Sequence, residues 1–144
     1  MNQILKHVSC VSTKNMGMKI AEGMSNGLSQ KQVWDTYAGL SLVRAGIIHA
    51  IFTMHSFFIQ DVIKIQQNDL KTVMKKLSIL WGIEKLIERS SDVYVTGVLT
   101  PEAFQLLNKK REALLKELRP EALALVEAFE YSDNMLESAI AHSN

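Results

Sequence analysis

The sequence predicts an all-α protein, a helical bundle of about five to six helices forming one domain over residues 1–144. Apolar residues recur mostly at spacings of three and four, the helical period, and no long alternating run suggests a strand. The only two prolines, Pro101 and Pro120, stand where one helix ends and the next begins, at first-turn positions where a missing N–H costs nothing. At 144 residues the chain is long enough to bury most of its apolar surface in one core without disulfides or metal.

Taken in order, a first helix is expected from Asn2 to Ser25, ending near Asn26-Gly27, and a long second one from Gln30 to Ile65. Asn68 or Asp69 is expected to cap a third, which runs to Gly97 with a weak point at Ser90-Ser91. Thr100 with Pro101 opens a fourth helix, ending near Leu118. Pro120 opens a fifth, and Ser132 caps a sixth. In the fifth, Ala122, Leu125, Val126 and Phe129 fall at i, i+3, i+4 and i+7, one stripe expected to face the core, while Glu121 lies off it. On that basis Phe129→Ala should cost about 3 to 5 kcal/mol and Glu121→Ala under about 0.5 kcal/mol.

Composition narrows the function classes. A net charge of +1 with signs mixed along the chain argues against electrostatic capture of nucleic acid or an anionic membrane. The single cysteine, Cys10, cannot form an internal disulfide, which fits a reducing compartment. The N-terminal MNQILKHVSC lacks the uninterrupted apolar core of an export signal. The most apolar window, Ile47 to Ile59, carries two histidines and is too short to span a bilayer, so it is expected to be a buried helix segment of a soluble chain.

Candidate chemistry is sparse. Val33, Tyr37, Leu40, Ile47, Ile51, Phe58 and Val62 form an apolar stripe on the second helix, with Arg44 and His55 on it as well. A buried guanidinium needs a carboxylate, so Arg44 is expected to pair with Glu127 or Asp133, making Arg44→Met strongly destabilising; the alternatives are an arginine that binds a ligand and one that snorkels out of the stripe. His49 and His55 are six apart and cannot share a metal from one face. His7 and Cys10, three apart, supply only two ligands, a poor zinc site, and Cys10 is expected to be half-buried. There is no Glu-x-x-His di-iron signature, no glycine-rich phosphate loop and no nucleophile–base set. Glu84, Glu88, Glu127 and Glu130 are not distinguished as general bases. Catalytic, cofactor-binding and metal-binding residues are therefore assigned as none.

Three blocks of the chain, in order from about Val33 to Ser138, carry a resemblance. LRPEALALVEAFEYSDNMLES resembles the C-terminal segment of the acyl-CoA oxidases, through Arg119, Pro120, Ala122, Leu125, Val126, Ala128, Phe129, Asp133, Leu136 and Ser138. Glu127 stands where that family commonly has Asp, and Tyr131 where it has Phe. LSILWGIEKLIERSSDVYVTGVLTPEAF resembles the family's Leu-Tyr-Gly-Ile helix and following turn, with Trp81 for the tyrosine and Asp92 kept. VWDTYAGLSLVRAGIIHA resembles a third block, matching Trp34, Leu42, Val43, Arg44, Ala45 and His49.

The resemblance implies an acyl-CoA oxidase/dehydrogenase C-terminal-like helical domain. Acyl-CoA oxidases are flavoenzymes of peroxisomal fatty-acid β-oxidation. A glutamate takes the α proton, FAD takes the hydride, and O₂ reoxidises the flavin to give H₂O₂. In the family the base, the flavin-binding β domain and most of the acyl pocket lie upstream of the matched region, so no residue here inherits those roles. This chain alone is therefore expected to be inactive and to bind no FAD. The implied partners are the flavin-bearing core or a second copy, with packing and dimer assembly as the role. No nucleic acid, membrane or metal partner is implied. The alternative is a stand-alone helical interaction protein derived from that domain. The family continues past the position of Ser138 with a further turn and helix, so the chain is either a shortened relative or a piece of a longer reading frame. Peroxisomal location follows by resemblance, although AHSN is not a Ser-Lys-Leu type address; otherwise the cytoplasm is expected.

Overall fold

The computed structural model describes residues 1–131, in which all regular structure is helical. Helix α1 spans Asn2–Ser25 and stops where Gly27 takes φ +80, a left-handed conformation that ends a helix cheaply without a Cβ. Ser29 restarts the chain with a reciprocal cap: its hydroxyl accepts from the Gln32 backbone N–H while the Gln32 side chain accepts from the Ser29 N–H.

The single long helix expected from Gln30 to Ile65 is interrupted. A short α2, Gln30–Gln32, runs into a π turn at Val33–Tyr37, and α3 begins afresh at Gly39–Lys64. The π turn closes with the Ala38 N–H donating to the Val33 carbonyl at 2.7 Å. Its cause lies on α1. Val33 and Tyr37 both press on Gly23, where an added Cβ would sit 2.9 Å from each side chain.

Helix α4, Asn68–Glu88, and α5, Ser90–Val95, are separated at Arg89 (φ −104, ψ 27), close to the weak point expected at Ser90-Ser91. Thr100 caps α6, Pro101–Leu118, accepting from the Ala103 N–H with Pro101 at the first helical position. Arg119–Glu121 is one 3₁₀ turn leading into α7, Ala122–Glu127.

Helix α3 is central. Helix α1 lies antiparallel along it, as the Asn2–His55 and Ser9–His49 hydrogen bonds require, and α4 covers a second side. Helix α6 packs on α4. Leu5, Val8, Ile48, Leu86, Val93 and Phe104 form one part of the core, and Leu80, Ile83, Leu114 and Leu118 the other. The Arg111–Glu84 and Lys76–Glu117 pairs bridge α4 and α6 at the surface. By length and apolar composition α3 meets the test for a membrane span. Only 22% of that stretch is buried within the domain, so the expected burial of Ile47–Ile59 holds for Ile48, Ile51 and His55 but not for Ala50, Met54 and Phe57; α1 and α4 pack on the buried side.

Several expectations are corrected. The fifth-helix stripe does not face the core: Val126 and Phe129 are both 68% exposed, Ala122 is exposed and Leu125 is only half-buried. Periodicity identified the stripe, but no described element packs over it. Phe129→Ala should therefore change the unfolding free energy of this chain by less than about 0.5 kcal/mol, as a surface substitution does, and equal urea midpoints for wild type and variant would check it. On the second-helix stripe Leu40 is exposed, because it lies on the same face of α3 as Val43 and Met54 and away from the buried face of Ala45, Ile48, Ile51 and His55. Cys10 is exposed rather than half-buried. The sixth helix and its Ser132 cap lie outside the described residues.

Candidate functional site

Two polar residues interrupt the apolar face of α3, and each is explained by a different neighbour. His55, 1% exposed, is held from both sides: Nε2 lies 3.1 Å from the Ser78 carbonyl of α4, and Nδ1 lies 3.2 Å from the side-chain amide of Asn2 on α1. Its ring stacks on Trp81 at 5.7 Å between centroids. Burial lowers its pKa from the ordinary 6.5, more than the Ser78 carbonyl raises it, so the imidazole is neutral at neutral pH. The neutral ring donates Nε2–H to Ser78, and Nδ1 is satisfied when the Asn2 amide presents its NH₂, a half-turn that leaves its shape unchanged. Close approach is possible because Gly82 faces the ring; a Cβ there would meet Nε2 at 2.9 Å.

Arg44 does not reach Glu127, which sits on the exposed α7, and Asp133 lies outside the described residues. Its guanidinium instead lies 3.9 Å from Asp92 on α5, with the Arg44 side chain 57% exposed. The kink at Arg89 ends α4 and carries Asp92 across to α3. A long, solvated pair of this kind contributes little. Arg44→Met should therefore destabilise by about 1 kcal/mol or less, and a double-mutant cycle with Asp92→Asn should give a coupling of the same order. The Asp92 partner was visible in the sequence only as an aspartate kept in the matched block. Asn2 and Ser78, the partners of His55, carried no signal at all.

The other candidates are scattered. His7 and Cys10 are both exposed on α1, and His49 meets the Ser9 hydroxyl at 3.3 Å. Glu84 pairs with Arg111; Glu88 accepts from Lys85, whose ammonium holds that carboxyl below its usual range. Glu127 and Glu130 are exposed. Among the described residues no three His, Cys, Asp or Glu side chains gather as a ligand set.

A concavity of about 630 Å³ opens between the start of α1 and the facing stretches of α3 and α4. Ile59, Val62 and Ile79 give it an apolar lining, Lys71 and Lys75 add ammonium groups, and His55 lies at its inner wall. Lys71 already donates to the Ile63 carbonyl at 2.8 Å, and both His55 nitrogens are engaged. Such a groove accommodates apolar surface but offers no nucleophile with a base beside it.

A protein-family model described as acyl-CoA oxidase matches residues 1–144. The bovine (Bos taurus) peroxisomal acyl-coenzyme A oxidase 1 is 25% identical over 130 residues, covering 90% of this chain and 19% of that protein. A putative peroxisomal acyl-coenzyme A oxidase 1.2 of Arabidopsis thaliana is 30% identical over 126 residues, covering 87% of this chain and 19% of its own length. Among solved structures, the Caenorhabditis elegans acyl-CoA oxidase-1 complexed with FAD and ATP superposes with a TM-score of 0.89 at 20% identity, over 98% of this chain and 21% of that one. Arabidopsis thaliana acyl-CoA oxidase 1 gives 0.80 at 26% identity, over 96% and 21%. The chain thus spans about a fifth of the length of the relatives it matches. With the family model spanning every residue and the helical fold agreeing with solved members, this chain belongs to the acyl-CoA oxidase family.

Proposed function

We propose that this chain is the C-terminal helical domain of an acyl-CoA oxidase-like flavoenzyme of peroxisomal fatty-acid β-oxidation, acting in packing and dimer assembly and supplying no catalytic group. The observation that supports this most is the contrast between its polar and apolar groups. Both ring nitrogens of the buried His55 are hydrogen-bonded within the domain, whereas Leu40, Val43, Met54, Phe57 and Val126, each at least 59% exposed, are left for something else to cover. The solved relative that carries FAD is about five times as long as the stretch matched here. Flavin contacts and the base that takes the α proton are expected from the remainder of such an enzyme. The peroxisome is the expected location, since the relatives are peroxisomal acyl-coenzyme A oxidases.

The experiment is incubation of the purified chain with FAD, followed by desalting and assay with palmitoyl-CoA. No retained flavin absorbance and no H₂O₂ are expected, and stoichiometric flavin or peroxide from this chain alone would overturn the proposal. Its second half is co-expression with the flavin-bearing segment of an acyl-CoA oxidase, which should bring the two chains down together. A stand-alone interaction protein, the alternative, would leave that segment behind.

A further inference from the structure

The groove between the start of α1 and the facing stretches of α3 and α4 is polar at one end and apolar toward the other. Two hydrogen bonds fix how its long walls lie. Ser78 is level with His55 through the 3.1 Å contact of its carbonyl with Nε2, and Lys71 is level with Ile63, whose carbonyl its ammonium meets at 2.8 Å. Helices α3 and α4 are therefore antiparallel along the groove. On α4, Lys71, Lys75, Ser78 and Ile79 fall at i, i+4, i+7 and i+8, a single face, and all four line the groove. The run from Lys71 to Ile79 is about 12 Å long. Ile59, Val62 and Ile63 of α3 form the opposite wall. Lys71, Asn68 and Thr72 thus mark a polar end beside the turn from α3 to α4, with Lys75 one helical turn further in. At the far end Asn2 and Ser78 are already engaged with His55.

Charge and polarity select the occupant. Among the described residues that line the groove there is no carboxylate, and Lys75 enters no ion pair with a described residue. Lys71 spends one N–H on the Ile63 carbonyl and keeps two more to donate. The positive charge at this end is therefore left uncompensated. Both ring nitrogens of His55 are engaged, so the inner wall asks for hydrocarbon and offers no hydrogen bond. An extended backbone laid along the groove would bring N–H and C=O groups against Ile59, Val62 and Ile79, which have no partner to give them. A hydrocarbon chain brings no such groups. The volume, about 630 Å³, is that of a small-molecule site. We propose that this groove binds a single-chain anionic amphiphile as a monomer, its carboxylate or phosphate head on Lys71 and Lys75 and its hydrocarbon chain against Ile59, Val62 and Ile79. This goes beyond the assembly role proposed above and does not depend on it.

Calorimetric titration of the chain with decanoate, kept below its micelle concentration, tests this. Saturable binding that weakens with added salt is expected, with weaker binding of 1-decanol and none of decyltrimethylammonium. Lys71→Ala with Lys75→Ala should weaken decanoate binding about tenfold, the reach of two partly solvated ion pairs, and leave 1-decanol unaffected. Lys14→Ala with Lys31→Ala makes the same charge change at exposed positions that do not line the groove, and should alter neither. Ile63→Glu, at a position 64% exposed, sets a carboxylate beside Lys71 and should abolish decanoate binding with circular dichroism unchanged. Should that variant fail to fold, the two lysine pairs still decide the question. Equal effects of the two lysine pairs, decyltrimethylammonium bound as tightly as decanoate, or no saturable binding up to about 1 mM would overturn the proposal. So would capture of the chain by phosphatidylglycerol vesicles without binding of monomeric decanoate. Addition of the flavin-bearing segment separates this site from the assembly role. Decanoate should stay bound in the resulting complex, whereas its release would show that polypeptide fills the groove, which overturns the proposal and leaves the assembly role standing.

Discussion

Leu86→Ala is expected to lower the unfolding free energy by about 3 to 5 kcal/mol. Leu86 has no exposed surface and lies in the part of the core where α1, α3, α4, α5 and α6 converge, among Leu5, Val8, Ile48, Val93 and Phe104. Truncation removes the transfer free energy of the lost methyl groups and leaves a cavity that five separately tethered elements cannot close. A domain of this size has only about 5 to 15 kcal/mol to lose, so the variant should unfold at a much lower urea concentration with its m-value unchanged. A midpoint within error of wild type would show that α4 does not carry the core. The contrast with Phe129→Ala is the sharper test, because the larger ring should matter less.

His55→Ala should cost about 2 to 4 kcal/mol. The substitution empties the space between Asn2, Ser78 and Trp81 and removes a hydrogen bond between α3 and α4. It should also alter the pH dependence in a defined direction. Folding lowers the pKa of His55 below its ordinary 6.5, so the unfolded chain takes up the proton first. The wild type should therefore keep this contribution in full above pH 6.5 and lose it progressively as pH falls through 6.5 toward the lower folded value. Denaturation of wild type and His55→Ala across this range isolates the effect, since their stability difference should shrink on acidification. A difference that widens on acidification would mean that the folded domain holds the imidazolium, with both ring nitrogens donating.

Much of the helical framework was legible. The cap at Thr100, the prolines, and the glycines at 27 and 97 act within a few residues, so local sequence carries them, whereas the Ser29–Gln32 cap was not among the expected ones and α4 starts from Gln67 with no side-chain cap where Asn68 or Asp69 was expected. The interruption at Val33–Tyr37 was not legible, because its cause is Gly23, ten residues upstream on another helix. The candidate site shows the same division. His55 and Arg44 were conspicuous as polar groups on an apolar face, but their partners are 23 to 53 residues distant for the histidine and on α5 for the arginine. Periodicity says that a helix has an apolar face, not what will lie against it. That is why the Leu125, Val126, Phe129 stripe pointed to a core that the described residues do not place over it.

By itself, the sequence determined the class, the outer ends of the helical stretches through Leu118 though not the breaks within them at Val33–Tyr37 and Arg89, and the family through its three ordered blocks, because helix periodicity, caps and motifs are properties of consecutive residues. Only the tertiary structure decided which apolar faces are spent inside the domain and which are left open, that Arg44 meets Asp92 at a solvated distance, and that His55 is buried neutral between α1 and α4. Those outcomes depend on which helices approach one another and at what rotation. Residues far apart in the chain set that approach together, by how closely Gly23 and Gly82 let their neighbours come.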